Sequence, residues 1–267
     1  MVFNPELSRR QLFLGASAFV ALSPFPAMAN ESAPLRGLGY LEHLKVSADA
    51  PYLRPSALHP SYSHAVYVNT ALSGDGAQKM WFLARSATGA WELGLHDAEY
   101  WAEKGETPHY SWPVSTGRKY PGDSRSGPTP VGVFNVDDRR YRPGWGSPGM
   151  YNALYIDLHY SSGRASGVAI HGTLPGNYKK LGRADSHGCV RMHKRNADRV
   201  WSLVHPENRR KENSPLWGEI PRYFSSSPEG STRSGYVRDG SVLLAADGAP
   251  LTREGYKMVF VFFRDDV

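Results

Sequence analysis

The sequence predicts a mainly β fold, β-rich α+β in class. Three observations carry this. Gly (27) and Pro (20) run a little above average in a chain of 267 residues, favouring turns over long helices. Short apolar runs recur between Gly, Pro and Asp punctuation, the texture of strands joined by turns. The closing run Met258–Phe263 is apolar throughout, as in a strand buried on both faces. With 40% hydrophobic and 21% charged residues, wholesale disorder is excluded.

From the N-terminus, Arg9-Arg10 precedes an uncharged stretch that ends at Pro24 and Pro26, followed by Ala27-Met28-Ala29. Residues 1–29 therefore predict an export signal, twin-arginine-like in its paired arginines and its Gly/Ala/Ser dilution. The apolar run is too short to span a bilayer, which takes about 20 residues. No other stretch approaches that length, so no integral membrane segment is expected beyond it. Residues 30–62, with Pro34, Pro51, Pro55 and Pro60, predict an irregular arm.

Strand-like runs at 64–70 and 79–84 flank Ser73-Gly74-Asp75-Gly76, a hairpin signal. A short helix is expected over 96–104, ended by Gly105. Strands follow near 110–114, 132–136, 153–158 and 167–170. The apolar positions 197, 200, 201 and 204 share one helical face; Asn196 would cap that helix and His205-Pro206 would stop it. Residues 225–235 predict a flexible loop, and the last strand should return to the main sheet.

The formal net charge is +6, of which Arg9, Arg10 and Glu6 account for one, so about five remain beyond residue 29. That balance suits an anionic cell wall or envelope surface. Nucleic acid is disfavoured, because no Lys/Arg run interleaved with aromatics is present.

The chain has a single cysteine, which excludes intramolecular disulfides and multi-thiol zinc modules. Cys189 lies in Ser186-His187-Gly188-Cys189-Val190-Arg191-Met192, eighteen residues after His171 in Ile170-His171-Gly172-Thr173. A free thiol is only a few per cent thiolate at neutral pH, so a nucleophilic cysteine needs a partner. His171 ends a strand-like run, a rigid mount for a base, and Gly172 leaves a carbonyl open to the imidazole. His187 is sequence-adjacent to the thiol. Gly188 lets the backbone approach a substrate, and its N–H with that of Cys189 could face an oxyanion. Zinc on His171, His187, Cys189 and His193 is conceivable by residue type but would occupy the thiol.

These two blocks resemble the signature of the L,D-transpeptidase catalytic domain, the YkuD-type enzymes that cross-link cell walls. Val114-Ser115-Thr116-Gly117, Thr129-Pro130-Val131-Gly132 and Met150-Tyr151-Asn152-Ala153 resemble the family's upstream motifs, so the likeness covers about residues 63–205. Residues 122–127 and those beyond about 210 depart from the pattern. The resemblance implies a curved mixed sheet folded on itself with a helix against it, a catalytic domain over 63–210 and a C-terminal extension over 211–267. It implies Cys189 as nucleophile, His171 as proton donor and acceptor, and the Gly172 carbonyl orienting His171. His187, Gly188 and Ser186 would shape the site and its oxyanion pocket, with Ser186 securing the turn. Arg191 would meet a substrate carboxylate, and Tyr151, with Trp145 nearby, would line a groove.

The implied reaction is attack on the diaminopimelate–D-Ala bond of a peptidoglycan stem tetrapeptide, a thioester on Cys189, and transfer to an amine, giving a 3→3 cross-link. No metal or organic cofactor is expected. Two alternatives stay open: the same dyad working as a hydrolase (an L,D-carboxypeptidase or an amidase releasing wall-linked lipoproteins), and a catalytically idle wall-binding module.

Overall fold

The computed structural model describes residues 37–46, 51–146, 149–160, 162–206, 211–223, 226–227 and 242–265. The expected export signal, and the loop at 225–235 apart from Ser226–Ser227, lie outside the described residues.

Four strands come first: β1 (His64–Asn69), β2 (Lys79–Arg85), β3 (Trp91–Leu95) and β4 (Trp112–Pro113). Then follow the long β5 (Gly132–Gly146), β6 (Met150–Ile156), β7 (His159–Tyr160), β8 (Ala169–Gly172) and β9 (Val190–Met192). The C-terminal part adds β10 (Trp217–Pro221), β11 (Ser226–Ser227), β12 (Thr252–Tyr256) and β13 (Met258–Phe263). Helices are α1 (Gly37–His43), α2 (Ala98–Lys104) and α3 (Lys194–Val204). The main sheet runs β3-β2-β1-β13-β5-β6-β8-β9, with β4 against β2. The β1–β13 and β8–β9 pairs are parallel and the others antiparallel, so the sheet is mixed. Among the described residues no helix is long and apolar enough to cross a membrane.

The uniform apolarity of β13 has a simple cause. Met258, Phe260 and Phe262 point into one core, with Val66, Phe82, Phe134 and Ile170. Val259, Val261 and Phe263 point into a second, with Tyr67, Trp81 and Leu83. A strand facing two cores has no polar face to alternate with.

Within the expected irregular arm, the described residues 37–46 and 51–62 hold short helical elements. Its helix α1 buries Tyr40 and Leu41, a 3₁₀ turn follows at Pro55–Ala57, and Tyr52 donates its hydroxyl proton to the Leu41 carbonyl at 2.6 Å. Seven helical residues are too few to show a periodicity, and tertiary burial holds them. The C-terminal extension pairs β10 with β12, and β13 docks between β1 and β5.

Two helix starts differ from expectation. Helix α2 starts at Ala98 and not at residue 96; Asp97 caps it, its carboxylate accepting the Tyr100 N–H at 3.2 Å, and Gly105 closes the helix at φ 62°. His193, not Asn196, caps α3, its Nδ1 accepting the Arg195 N–H at 3.2 Å. Asn196 instead lies buried within α3 and reaches Asp97 Oδ2 at 3.4 Å.

Candidate functional site

Strand alternation decides which side chains meet. On β8, Ile170 enters the core beneath α3, so Ala169 and His171 face the other way. The parallel register sets His171 beside Arg191 and Ile170 beside Val190. Cys189, immediately before β9, thus falls on the face of His171 and Arg191, and it packs against Met150, Ala153, Tyr155 and Ala169.

His171 is buried, and its Nδ1 bonds the Gly172 carbonyl at 2.8 Å. A carbonyl only accepts, so Nδ1 carries the proton and Nε2 keeps its lone pair. Burial pushes the imidazole pKa down to about 4; the Gly172 bond opposes this and Arg191 adds to it. At neutral pH His171 is therefore an uncharged base. The Cys189 thiol is half-buried and donates to the Gly167 carbonyl at 3.6 Å. To pass its proton to His171 the S–H must turn away from Gly167.

The turn before Cys189 is held from within and without. Ser186 Oγ donates to the Cys189 carbonyl and accepts the Gly188 N–H at 3.1 Å. The Gly188 N–H expected in an oxyanion pocket is thus taken by Ser186, which leaves the Cys189 N–H of that pair. Gly188 has φ 143°, a region that disfavours L side chains.

Outside the turn, residues 117–129 clasp it. Thr129 Oγ1 donates to the Gly188 carbonyl at 2.9 Å and accepts the Gly117 N–H at 2.8 Å. Gly127 N–H reaches the His187 carbonyl at 3.2 Å. The exposed His187 ring stacks on Tyr120 with centroids 4.7 Å apart, and its Nε2 lies 3.3 Å from Asp123 Oδ2. The Tyr120 hydroxyl donates to the Asp185 carbonyl at 2.8 Å. Burial alone would raise the Asp185 carboxyl pKa, but Lys180, Tyr120 and Arg118 hold it below the usual range. The departure from the family pattern at 122–127 is therefore part of the clasp, a role that spacing alone gave no means of seeing.

Arg191 sits in the site, one fork nitrogen on the Asp185 carbonyl at 2.7 Å. Tyr151 does not join it. The bulge at Asn152, with φ 46°, pairs Tyr151 with Gly172 and turns it to the α3 side of the sheet. There Lys194 Nζ lies 4.1 Å from its ring centroid and its hydroxyl lies 3.4 Å from Asp198 Oδ1. Trp145 follows it, with ring centroids 4.9 Å apart. Tyr151 thus lies on the α3 side, and the large side chains packed with Cys189 are Tyr155 and Met150, which sequence reasoning passed over because a bulge reverses the alternation that would identify them.

The four conceivable zinc ligands do not form a cluster. His193 caps α3 and His187 pairs with Asp123. Among the described residues, the group with metal-like spacing is Asp137, Asp157 and His159, where Arg139 and Arg253 already meet the carboxylates.

The YkuD family model, the L,D-transpeptidase catalytic domain, matches residues 95–220. No curated protein matches the chain. Among solved structures it is similar to an L,D-transpeptidase from Mycobacterium tuberculosis H37Rv, at 20% identity over 54% of each chain with a TM-score of 0.34. It is also similar to L,D-transpeptidase 3 from Mycobacterium tuberculosis, at 17% identity over 51% of this chain and 55% of that one, TM-score 0.32. An L,D-transpeptidase from Mycobacterium smegmatis matches at 17% identity over 54% and 55%, TM-score 0.29. The chain spans about half the length of these structures.

Proposed function

Taking residues 95–220 as a YkuD-type L,D-transpeptidase catalytic domain, we propose that the protein is an exported peptidoglycan L,D-transpeptidase with Cys189 as nucleophile. The observation that carries this reading is the Nδ1-protonated, uncharged His171 on the same sheet face as Cys189.

The Cys189 sulfur attacks the diaminopimelate carbonyl of a stem tetrapeptide while the thiol proton passes to His171 Nε2. The tetrahedral intermediate collapses, the C–N bond to D-Ala breaks, and the leaving amine takes that proton. A thioester remains on Cys189. An amine of a second stem attacks it, loses a proton to His171, and departs as the cross-linked product with the thiol restored. The Gly172 carbonyl orients the imidazole as a carboxylate does in other triads and stabilises the transient imidazolium. Arg191, on the same face, would meet a substrate carboxylate. Neither a metal nor an organic cofactor enters these steps. The basic balance of the chain suits an anionic wall, and residues 1–29 would direct it there.

Incubation of purified protein with disaccharide tetrapeptide, followed by mass, tests this. Released D-Ala with cross-linked dimer supports transfer; tripeptide without dimer makes the protein a hydrolase. Unchanged tetrapeptide, with sacculus binding retained, makes it a wall-binding module.

A further inference from the structure

The sheet face that carries Cys189 also carries two arginines that the reaction above does not use. Arg142 pairs with Ala153 and Tyr155 with Ala169, and both alanines pack in the cluster that Cys189 joins. The Arg140 guanidinium lies over the Tyr155 ring, 4.6 Å from its centroid, and Arg142 hydrogen-bonds the Tyr155 side chain. Arg118, Arg139, Arg195 and Arg253 each meet a carboxylate. Arg140, by contrast, has no ion-pair partner among the described residues, although it is half-buried. A guanidinium stacked on a ring keeps its edge donors open, which suits forked recognition of a carboxylate.

We propose that Arg140 and Arg142, on the platform of Tyr155, bind the side-chain carboxylate of the third stem residue and so select diaminopimelate over lysine. This rests on the transpeptidase reading of Cys189. Only β8 lies between β6 and the strand that Cys189 precedes, so two strand spacings, roughly 10 Å, separate the Tyr155 and Cys189 backbones. The carboxylate of the departing D-Ala adjoins the scissile bond and sits too near the sulfur to span that gap. The attacked carbonyl and the side-chain carboxylate of diaminopimelate stand at opposite ends of its carbon chain, which fits the separation. Lysine carries the same ammonium as diaminopimelate but lacks the carboxylate beside it, so the two arginines have no anion to meet.

Calorimetry on the Cys189→Ala protein, which needs no turnover, tests the assignment with two tetrapeptides that differ only in diaminopimelate or lysine at position three. The diaminopimelate peptide should bind about tenfold more tightly or better. Arg140→Ala/Arg142→Ala in that background should remove the difference, and Arg140→Lys/Arg142→Lys, which keeps the charge and guards against a folding defect, should keep part of it. Equal binding of the two peptides, binding of neither, or a preference that survives the double alanine change overturns the proposal. D-Ala release and dimer formation by the wild-type protein report separately on the transpeptidase reading.

Discussion

His171 donates its Nδ1 proton to the carbonyl of Gly172, the residue next to it in the chain, at 2.8 Å. A backbone acceptor on the same strand cannot swing away as a carboxylate side chain can. It also bears no full charge, so it offsets only part of the burial that holds the imidazole neutral. In the proposed dyad His171 therefore starts as a neutral imidazole, able to take a proton as Cys189 attacks.

That neutral imidazole gives stability a pH dependence of defined sign. In the unfolded chain His171 protonates near pH 6.5, while in the fold it resists protonation down to about pH 4. Between these values the unfolded state binds more protons, so stability falls as the solution is acidified from about pH 6.5 to pH 4. The contribution at risk is on the order of 3 kcal/mol. Urea midpoints of wild type and His171→Gln across this window should diverge, the variant showing the flatter dependence. Parallel curves would show that His171 is not held neutral.

Gly117 has no positive φ; it is glycine because two backbones meet there. A Cβ would lie 2.4 Å from the Gly127 carbonyl oxygen and 2.5 Å from Gly188 Cα. Gly117→Ala should cost about 1–3 kcal/mol and displace the Gly188-Cys189 peptide. D-Ala release should therefore fall further than the loss of folded protein explains, measured at a temperature where thermal melting shows the variant folded. Full activity in a folded variant would mean that the clasp does not set the position of the nucleophile.

Tyr151 and Tyr155 sit on opposite sides of the same sheet, and their substitutions should separate accordingly. Tyr151→Ala removes packing between β6 and α3 and should lower Tm with little change in KM. Tyr155→Ala removes the ring under Arg140 and should raise KM for tetrapeptide more than it changes Tm. Steady-state D-Ala release and thermal melts on the pair decide this; the reverse pattern would return Tyr151 to the substrate groove.

Much of the site was legible in sequence because its parts are local. His171 and Gly172 are neighbours, and Ser186 to Cys189 form one turn, so spacing and residue type carry both. The mainly β class and the buried final strand were legible because apolar runs and turn residues write them directly. What escaped was set by tertiary partners. Tyr40, Leu41, Tyr52 and Leu58 of the arm are buried because they cover an outer sheet face. Asn196 lost its cap to His193 because Asp97, nearly a hundred residues away, takes its amide. One bulge at Asn152 puts Tyr151 on the face opposite Cys189, and the same geometry places Tyr155, Arg140 and Arg142 on the Cys189 face. Register errors of this kind leave no trace in composition.

The most direct test of the central claim is intact-protein mass after acid quench of wild type mixed with stem tetrapeptide. A mass gain equal to the tetrapeptide less D-Ala, mapped to Cys189, reversed by hydroxylamine and absent from Cys189→Ala, is the predicted result. D-Ala release with no adduct on Cys189, or release undiminished in Cys189→Ala, would contradict it.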